Sequence, residues 1–331
     1  MNSINKFETF KSLTKYHLKK CTNYKKIVSQ IFGKKQIKTT QDIPYISVNV
    51  FKNLELKSIK NNQIHKIMLS SGTTGKNSRI YLDQQNSKNQ IEVLNNTFKN
   101  FVSNERLPML VVGQNPLSLK KKTFNAQAAA IIGFSIFSSK IFYLINEHGK
   151  IDKKIFDDFI KYTTNKNFFV FGFTFNIFNI LIKELKEKLN LKKGILIHGG
   201  GWKKLDDIKI SNEKFKYLLN KKFELKRIVN YYGLIEQTGS IFFECNKGYF
   251  HTSNYNDILI RDENFKVLKN KKKGLIQLLS TIPKSYPGHS ILTEDIGMII
   301  GENNCKCRIK GKFFKVYGRE KKSEIRGCSN I

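Results

Sequence analysis

Short apolar runs that end in glycine, separated by stretches with helical spacing, constrain this chain more than any other feature. KIML (66–69) leads into a polar glycine loop. LPMLVVG (107–113), KNFFVFG (166–172), GILIHGG (194–200) and KRIVNYYG (226–233) each stop at glycine. Runs this short and apolar predict strands buried on both faces. Between two of them, Phe175, Phe178, Leu181, Leu185 and Leu189 follow the spacing of one buried helical face, predicting a helix over 174–189. Residues 5–32 and 84–103 also read as helical, the first with basic faces. IPYISVNVF (43–51) reads as extended, from its β-branched residues and its proline. Strands alternating with helices predict an α/β layer structure. After about 238 the texture changes to short β-type segments (FFEC, DILIRD, GLIQLLS, SILTEDIGMII, KFFKVYGR) joined by Gly, Asn and Lys turns. The chain is thus expected to divide into a helical and extended segment at 1–65, an α/β core at 66–238 and a β-rich subdomain at 239–331.

A length of 331 residues allows about two domains, and 40% hydrophobic residues exclude global disorder. No window holds 18 uninterrupted apolar residues, so no transmembrane helix is expected. The mixed polar start, MNSINKFETF, does not read as a signal peptide, and the expected compartment is the cytoplasm. The net charge of +33 invites a nucleic-acid reading. The lysines are scattered along the chain, however, and accompany abundant Asn, Ile, Phe and Tyr, which share A/T-rich codons. No specific nucleic-acid partner is therefore expected, only general affinity for polyanions.

The strongest local motif is Ser70-Ser71-Gly72-Thr73-Thr74-Gly75-Lys76. Small residues let backbone approach a ligand closely, while hydroxyls and a lysine supply donors, a composition suited to a pyrophosphate group. It is not a Walker loop, because Ser70 stands where the first glycine would be. Three later motifs extend the pattern. His198-Gly199-Gly200-Gly201-Trp202 ends a strand, where α/β folds admit ligands. Tyr231-Tyr232-Gly233-Leu234-Ile235-Glu236 ends another, offering an aromatic face for a base and a carboxylate for a metal–phosphate complex. Thr293-Glu294-Asp295-Ile296-Gly297 puts a carboxylate where it could bond a ribose diol. Each has a plainer reading as a packed or solvated turn.

In this order, SSGTTGK, HGGGW, YYGLIE, TEDIG and YGR resemble the adenylate-forming enzymes. Within that superfamily the chain is most similar to the acyl-protein synthetases, the long-chain fatty acid–luciferin component ligases, over nearly its whole length. Phenylacetate–CoA ligases are a more distant resemblance. The resemblance implies the large N-terminal domain of that fold, layered helices and sheets with a β-rich subdomain, with the mobile C-terminal domain apparently absent. It implies ATP and Mg²⁺ as cofactors and 66–238 as the nucleotide-binding core. Ser71, Gly72, Thr73, Thr74 and Gly75 would hold phosphates beside Lys76. Gly199, Gly200 and Gly201 would line the adenine slot, with Tyr232 and Gly233 against the base. Glu236 would help bind magnesium, and Asp295 with Arg319 would bond the ribose. The activity implied is activation of a carboxylic acid, a long-chain fatty acid, to an acyl-adenylate, then transfer to a thiol and on to an acyl reductase or acyl-carrier partner. An acyl- or aryl-CoA ligase is one rival, and a degenerate protein that binds acyl groups or nucleotide without turnover is another. Ile235 departs from the family pattern, standing where a threonine is usual.

The five cysteines do not suggest a disulfide framework. Cys245-x5-His251 and Cys305-x-Cys307 offer three thiols and one imidazole, a set suited to tetrahedral structural zinc, against a plainer reading as buried free thiols. Cys328, flanked by Arg326 and near Lys321 and Lys322, is the candidate acyl-carrying thiol. The aromatic stretch from Phe168 to Phe178 reads as core rather than as an acyl pocket.

Overall fold

The computed structural model describes residues 5–70, 77–117, 126–200 and 210–319. In chain order these form α1 (Lys6–Lys20), α2 (Thr22–Phe32), β1 (Ile46–Ser47), α3 (Val50–Asn53), β2 (Lys66–Leu69), β3 (Arg79–Leu82) and α4 (Gln84–Phe101). There follow β4 (Leu107–Val112), α5 (Ala126–Ser135), β5 (Ser138–Tyr143), α6 (Lys153–Thr163), β6 (Phe168–Phe173) and α7 (Thr174–Ile177). Next come β7 (Gly194–Gly199), α8 (Asn212–Phe223), β8 (Arg227–Gly233), β9 (Ile241–Phe243) and β10 (Phe250–His251). The chain finishes with β11 (Asn256–Arg261), β12 (Gly274–Ser280), β13 (Ser290–Glu302) and β14 (Lys312–Arg319). Two compact units result: residues 66–77 with 87–245, and residues 1–65 with 78–86 and 246–331.

The first unit is built on a six-stranded sheet in the order β5-β4-β6-β7-β8-β9. All its pairings are parallel except β8–β9. β4, β6 and β7 are buried at almost every residue, as their apolar runs predict. Alternate side chains serve the two faces. Phe168 and Val170 join Phe142, Phe159, Leu196 and Phe215 in one core. Phe169 and Phe171 meet Phe98 and Phe134, with Phe134 and Phe171 stacked at 4.3 Å. The stretch around β6 is thus core, as its sequence suggests. The helix read over 174–189 is shorter than expected. α7 continues as a π-helical turn over Phe178–Glu184 and stops there, while Leu185 stays buried without helical backbone.

The second unit holds the antiparallel order β10-β14-β13-β12-β11, with β1 added in parallel to β13 through Ile46↔Ile291. The helix expected over 5–32 is two helices, because Cys21 turns extended (φ −122°) between them. Asn5 caps α1 by accepting from the Glu8 N–H, and the buried face is Phe10, Leu13, Thr14 and His17. The stretch 43–51 is extended only at first: Val50 and Phe51 already belong to α3, whose N-cap is Asn49.

Candidate functional site

Two groups of expected nucleotide residues are described, each within one unit. In the first unit, Gly199 and Gly200 close β7, while Tyr232, Gly233 and Glu236 lie at the end of neighbouring β8. The C-terminal ends of adjacent parallel strands are where open α/β sheets take ligands. Packing explains why Gly199 must be glycine. A Cβ there would lie 2.3 Å from the ring of Tyr231, its register partner on β8. That ring in turn meets Phe134 at 5.2 Å, and burial pushes its phenol pKa up. Gly200 turns the chain at φ +84°, a left-handed conformation that side chains disfavour. The strand end therefore carries no side chains of its own, with Tyr231 packed over Gly199 and Phe173 over Gly200. Glu236 sits buried in a single turn immediately after β8. A buried carboxylate is held by a cation or strong donors.

His198 has a different role. The Thr174 hydroxyl donates to Gly199 O at 3.2 Å, so it accepts from His198 Nδ1–H at 3.0 Å. The imidazole is held neutral in the core. Burial, aided by the Lys216 charge, lowers its pKa to about 3. It braces the strand end through Thr174.

In the second unit, Asp295 and Arg319 are cross-strand partners on β13 and β14. Arg319 Nε lies 4.0 Å from Asp295 Oδ1, whereas Arg319 Nη1 lies 3.1 Å from Glu294 Oε2. Asn49 holds Glu294 through a 2.6 Å bond from Nδ2 to Oε1. The Thr293 hydroxyl accepts from the Asp295 N–H at 3.1 Å and donates to Ile276 O at 2.9 Å, fixing the turn of the chain there. Sequence reasoning missed Glu294 as the nearer partner of the arginine. It stands inside the TEDIG motif, but only the register reveals the pairing.

Cys245, His251, Cys305 and Cys307 converge: one ligand atom from each lies within 4.8 Å of all the others. Cys245 is the last residue before the chain enters the second unit. His251 Nε2 approaches Cys307 Sγ at 3.3 Å, and the ring stacks on Phe313 at 5.7 Å. Ile309 N–H donates to Cys307 Sγ at 3.4 Å. Three soft sulfurs and one imidazole fit tetrahedral zinc. Cys21 is apart from this group, buried, with a thiol pKa raised by burial. Ser71, Gly72, Thr73, Thr74, Gly75, Lys76, Gly201 and Cys328 lie outside the described residues.

Residues 3–331 match the family described as "Acyl-protein synthetase, LuxE". The chain belongs to the acyl-protein synthetase family. Acyl-protein synthetase family membership makes it an AMP-forming acyl-activating ligase, which activates a carboxylic acid with ATP through an acyl-adenylate. No curated protein matches. Among solved structures, a 2-hydroxyisobutyryl-CoA ligase in an open conformation, in complex with 2-HIB-AMP and CoA, is similar at TM-score 0.72 and 10% identity. That match covers 95% of this chain and 68% of the ligase. A long-chain-fatty-acid-CoA ligase from Archaeoglobus fulgidus is similar at TM-score 0.52 and 15% identity, covering 79% of this chain and 53% of the ligase. ATP-bound MatB from Rhodopseudomonas palustris is similar at 0.50 and 14%, covering 79% and 49%. These likenesses establish the adenylate-forming fold. No described helix is long and apolar enough to cross a membrane.

Proposed function

We propose that this acyl-protein synthetase family member activates a long-chain fatty acid with MgATP and passes the acyl group to a thiol. The observation that carries the nucleotide half is the pair of adjacent strand ends, where β7 runs out at Gly199 and Gly200 while neighbouring β8 carries Tyr232 and is followed by a turn with buried Glu236. The substrate carboxylate oxygen attacks the α-phosphorus of ATP, the bond from that phosphorus to the bridging oxygen breaks, and pyrophosphate leaves with the electron pair. Such a reaction needs positioning and charge neutralisation more than proton transfer. Thr73, Thr74 and Lys76 would neutralise the phosphates, Glu236 would hold magnesium, and Gly199, Gly200 and Gly201 with Tyr232 would take the base. Asp295 would accept from the ribose hydroxyls, with Arg319 steadied against it by Glu294. The Cys328 thiolate would then attack the acyl carbonyl, releasing AMP, and hand the acyl group to a reductase or carrier partner. Cytoplasmic location suits a consumer of MgATP. A structural zinc at Cys245, His251, Cys305 and Cys307 belongs to the same reading, supported by the convergence of four ligand atoms.

Pyrophosphate release measured across carboxylic acids of increasing chain length tests the reading. Long-chain acids should be favoured, and Thr73→Ala with Thr74→Ala should lower release by ~10²-fold or more, as loss of transition-state donors does. Labelled acid should appear on the protein in a hydroxylamine-sensitive bond, and Cys328→Ser should remove it while leaving pyrophosphate release intact. Pyrophosphate release with no labelling, and thioester formation on added CoA, would establish a CoA ligase instead. Absence of pyrophosphate release with every acid would leave a binding protein.

A further inference from the structure

The Cys/His group sits at the closed end of the β13–β14 hairpin, and the Asp295–Arg319 pair sits at its open end. His251 lies on β10, whose two residues pair only with Phe313 and Phe314 at the start of β14. Cys305 and Cys307 lie in the loop between Glu302 and Lys312. That loop takes a left-handed conformation three times, at Asn303 (φ 60°), Arg308 (φ 68°) and Gly311 (φ 98°). Two of these carry side chains, so the turn stores conformational cost that something must offset. Short bonds close it: Asn303 N–H to Gly311 O at 3.0 Å, and Arg308 N–H to Cys305 O at 2.9 Å.

Beyond this end, β14 is held by its backbone ladder to β13 more than by buried side chains. Phe313 and Phe314 are buried, but exposure rises along the strand until Tyr317, Gly318 and Arg319 are exposed. The β13–β14 ladder slips twice, between Ile296 and Gly297 and between Ile299 and Gly301. Register is weakly specified where neither face is buried, as at Tyr317, Gly318 and Arg319, and a one-residue slip turns every side chain to the other face. Such a slip would take Arg319 away from Asp295. The six steps from Phe313 to Arg319 span ~20 Å, so a metal at the closed end cannot touch the nucleotide and could act on it only through the hairpin.

We propose that the Cys245–His251–Cys305–Cys307 group holds one zinc ion as a register clasp for the β13–β14 hairpin, and thereby sets the Asp295–Arg319 pair. The last link rests on the nucleotide reading above; the clasp itself does not. Ligand atoms around tetrahedral zinc lie about 3.7 Å apart for bonds of about 2.3 Å. A set already within 4.8 Å therefore needs only slight tightening. The loop supplies charge as well. Lys306, Arg308, Lys310 and Lys312 alternate with or follow the cysteines, and offset the negative charge of a zinc site rich in sulfur. The Ile309 N–H bond to Cys307 Sγ orients that sulfur.

The test uses the full chain purified without chelator. Metal analysis should find about one zinc per chain, and replacement with Co²⁺ should produce the absorption of a tetrahedral site rich in thiolate. Chelation followed by hydrogen exchange should raise amide exchange across 312–319 at least tenfold, with β4, β6 and β7 unchanged, and added zinc but not magnesium should reverse it. ATP affinity, read by calorimetry, should fall about tenfold on chelation, and Arg319→Met should remove that sensitivity. Cys305→Ser should lose the metal; if it fails to fold, chelated wild type carries the same readout. A protein that neither holds zinc nor takes up Co²⁺ overturns the site. Zinc whose removal leaves exchange across 312–319 unchanged overturns the clasp. Protection that follows zinc while wild type binds no ATP overturns the nucleotide reading and leaves the clasp standing.

Discussion

The two units place their candidate residues by opposite means. In the α/β unit, topology does it: parallel strands buried on both faces end side by side, and Gly199, Gly200, Tyr232 and Glu236 follow from where β7 and β8 stop. In the β-rich unit, register does it: Asp295 meets Arg319 only because β13 and β14 pair as they do through two irregularities. The first arrangement is secured by apolar packing close to the residues concerned. The second rests on a backbone ladder whose last residues on β14 are exposed. The comparison teaches that the β-rich unit should be more sensitive to conditions that leave packing alone.

Acid offers the largest break in that symmetry. Apart from His251 in the Cys/His group, the β-rich unit buries two neutral histidines, stacked at 5.0 Å. The Ser58 hydroxyl donates to His17 Nδ1 at 2.7 Å, and His17 Nε2–H donates to Pro283 O at 3.1 Å. The Thr14 hydroxyl donates to Phe10 O, so it accepts from His289 Nε2–H at 2.9 Å. Burial lowers the His17 pKa to about 4, and burial with the neighbouring His17 takes His289 well below its ordinary value. The α/β unit buries one such histidine, His198. For a base whose folded pKa is depressed, stability is complete above the unfolded value near 6.5. It is lost as pH falls, because the unfolded chain takes the proton first. By pH 4.5 each neutral histidine forfeits about 3 kcal/mol. Asp42 and Glu55, both with lowered pKa, act only below their ordinary values of 3.8 and 4.5, outside this window. Hydrogen exchange between pH 7 and 4.5, corrected for intrinsic rate, should show the β-rich unit losing about twice the protection free energy of the α/β unit. Equal losses would break the comparison.

Legibility follows the same division. β4, β6, β7 and β8 are readable because uninterrupted apolar runs stopping at glycine have few alternatives. β5 was not read, since SSKIFY is half exposed along one edge of the sheet. The helix through 174–189 was read too long, because Leu185 and Leu189 keep the apolar spacing after the backbone has left the helix. Pairing across long separations left no local signal, as in Ile46↔Ile291 or the bond from Asn49 to Glu294. The Cys/His set was legible from residue type alone, whereas its convergence depends on β10 pairing with β14.

A methyl group at Gly199 probes the other side of the comparison. Its Cβ would meet the ring of buried Tyr231, which has Phe134 and Phe171 behind it. Overpacking of this kind costs about 2 kcal/mol, and Gly199→Ala should lower Tm by roughly 4–8 °C. Gly33 in the β-rich unit, at φ +59° with nothing within 4 Å of a built Cβ, isolates the backbone cost alone. Gly33→Ala should therefore cost about 1 kcal/mol. If the two variants melt together, packing is not what secures the β7 strand end.

The smallest effect concerns left-handed residues that carry side chains. The β-rich unit has four among the described residues, Phe265, Lys271, Asn303 and Arg308, against two in the α/β unit, Asn165 and Glu224. Glu224 follows α8 at φ 46°, ψ 42°, and its N–H bonds to Asn220 O as the helix cap. Glycine takes this conformation without a Cβ clash and keeps that bond. Glu224 also places a negative charge at the negative end of the helix dipole. Against this, Glu224→Gly removes an ion pair to Lys192 at 3.2 Å, but both side chains are mostly exposed and such pairs are worth a few tenths of a kcal/mol. The substitution should therefore stabilise the α/β unit by about 0.5 kcal/mol, read as a higher urea midpoint at unchanged slope. Salt screens both the lost ion pair and the relieved helix-dipole repulsion, so the midpoint should rise in salt-free buffer and at 0.5 M salt alike. A lower midpoint in both would mean that the Lys192 pair outweighs the backbone conformation at this helix end.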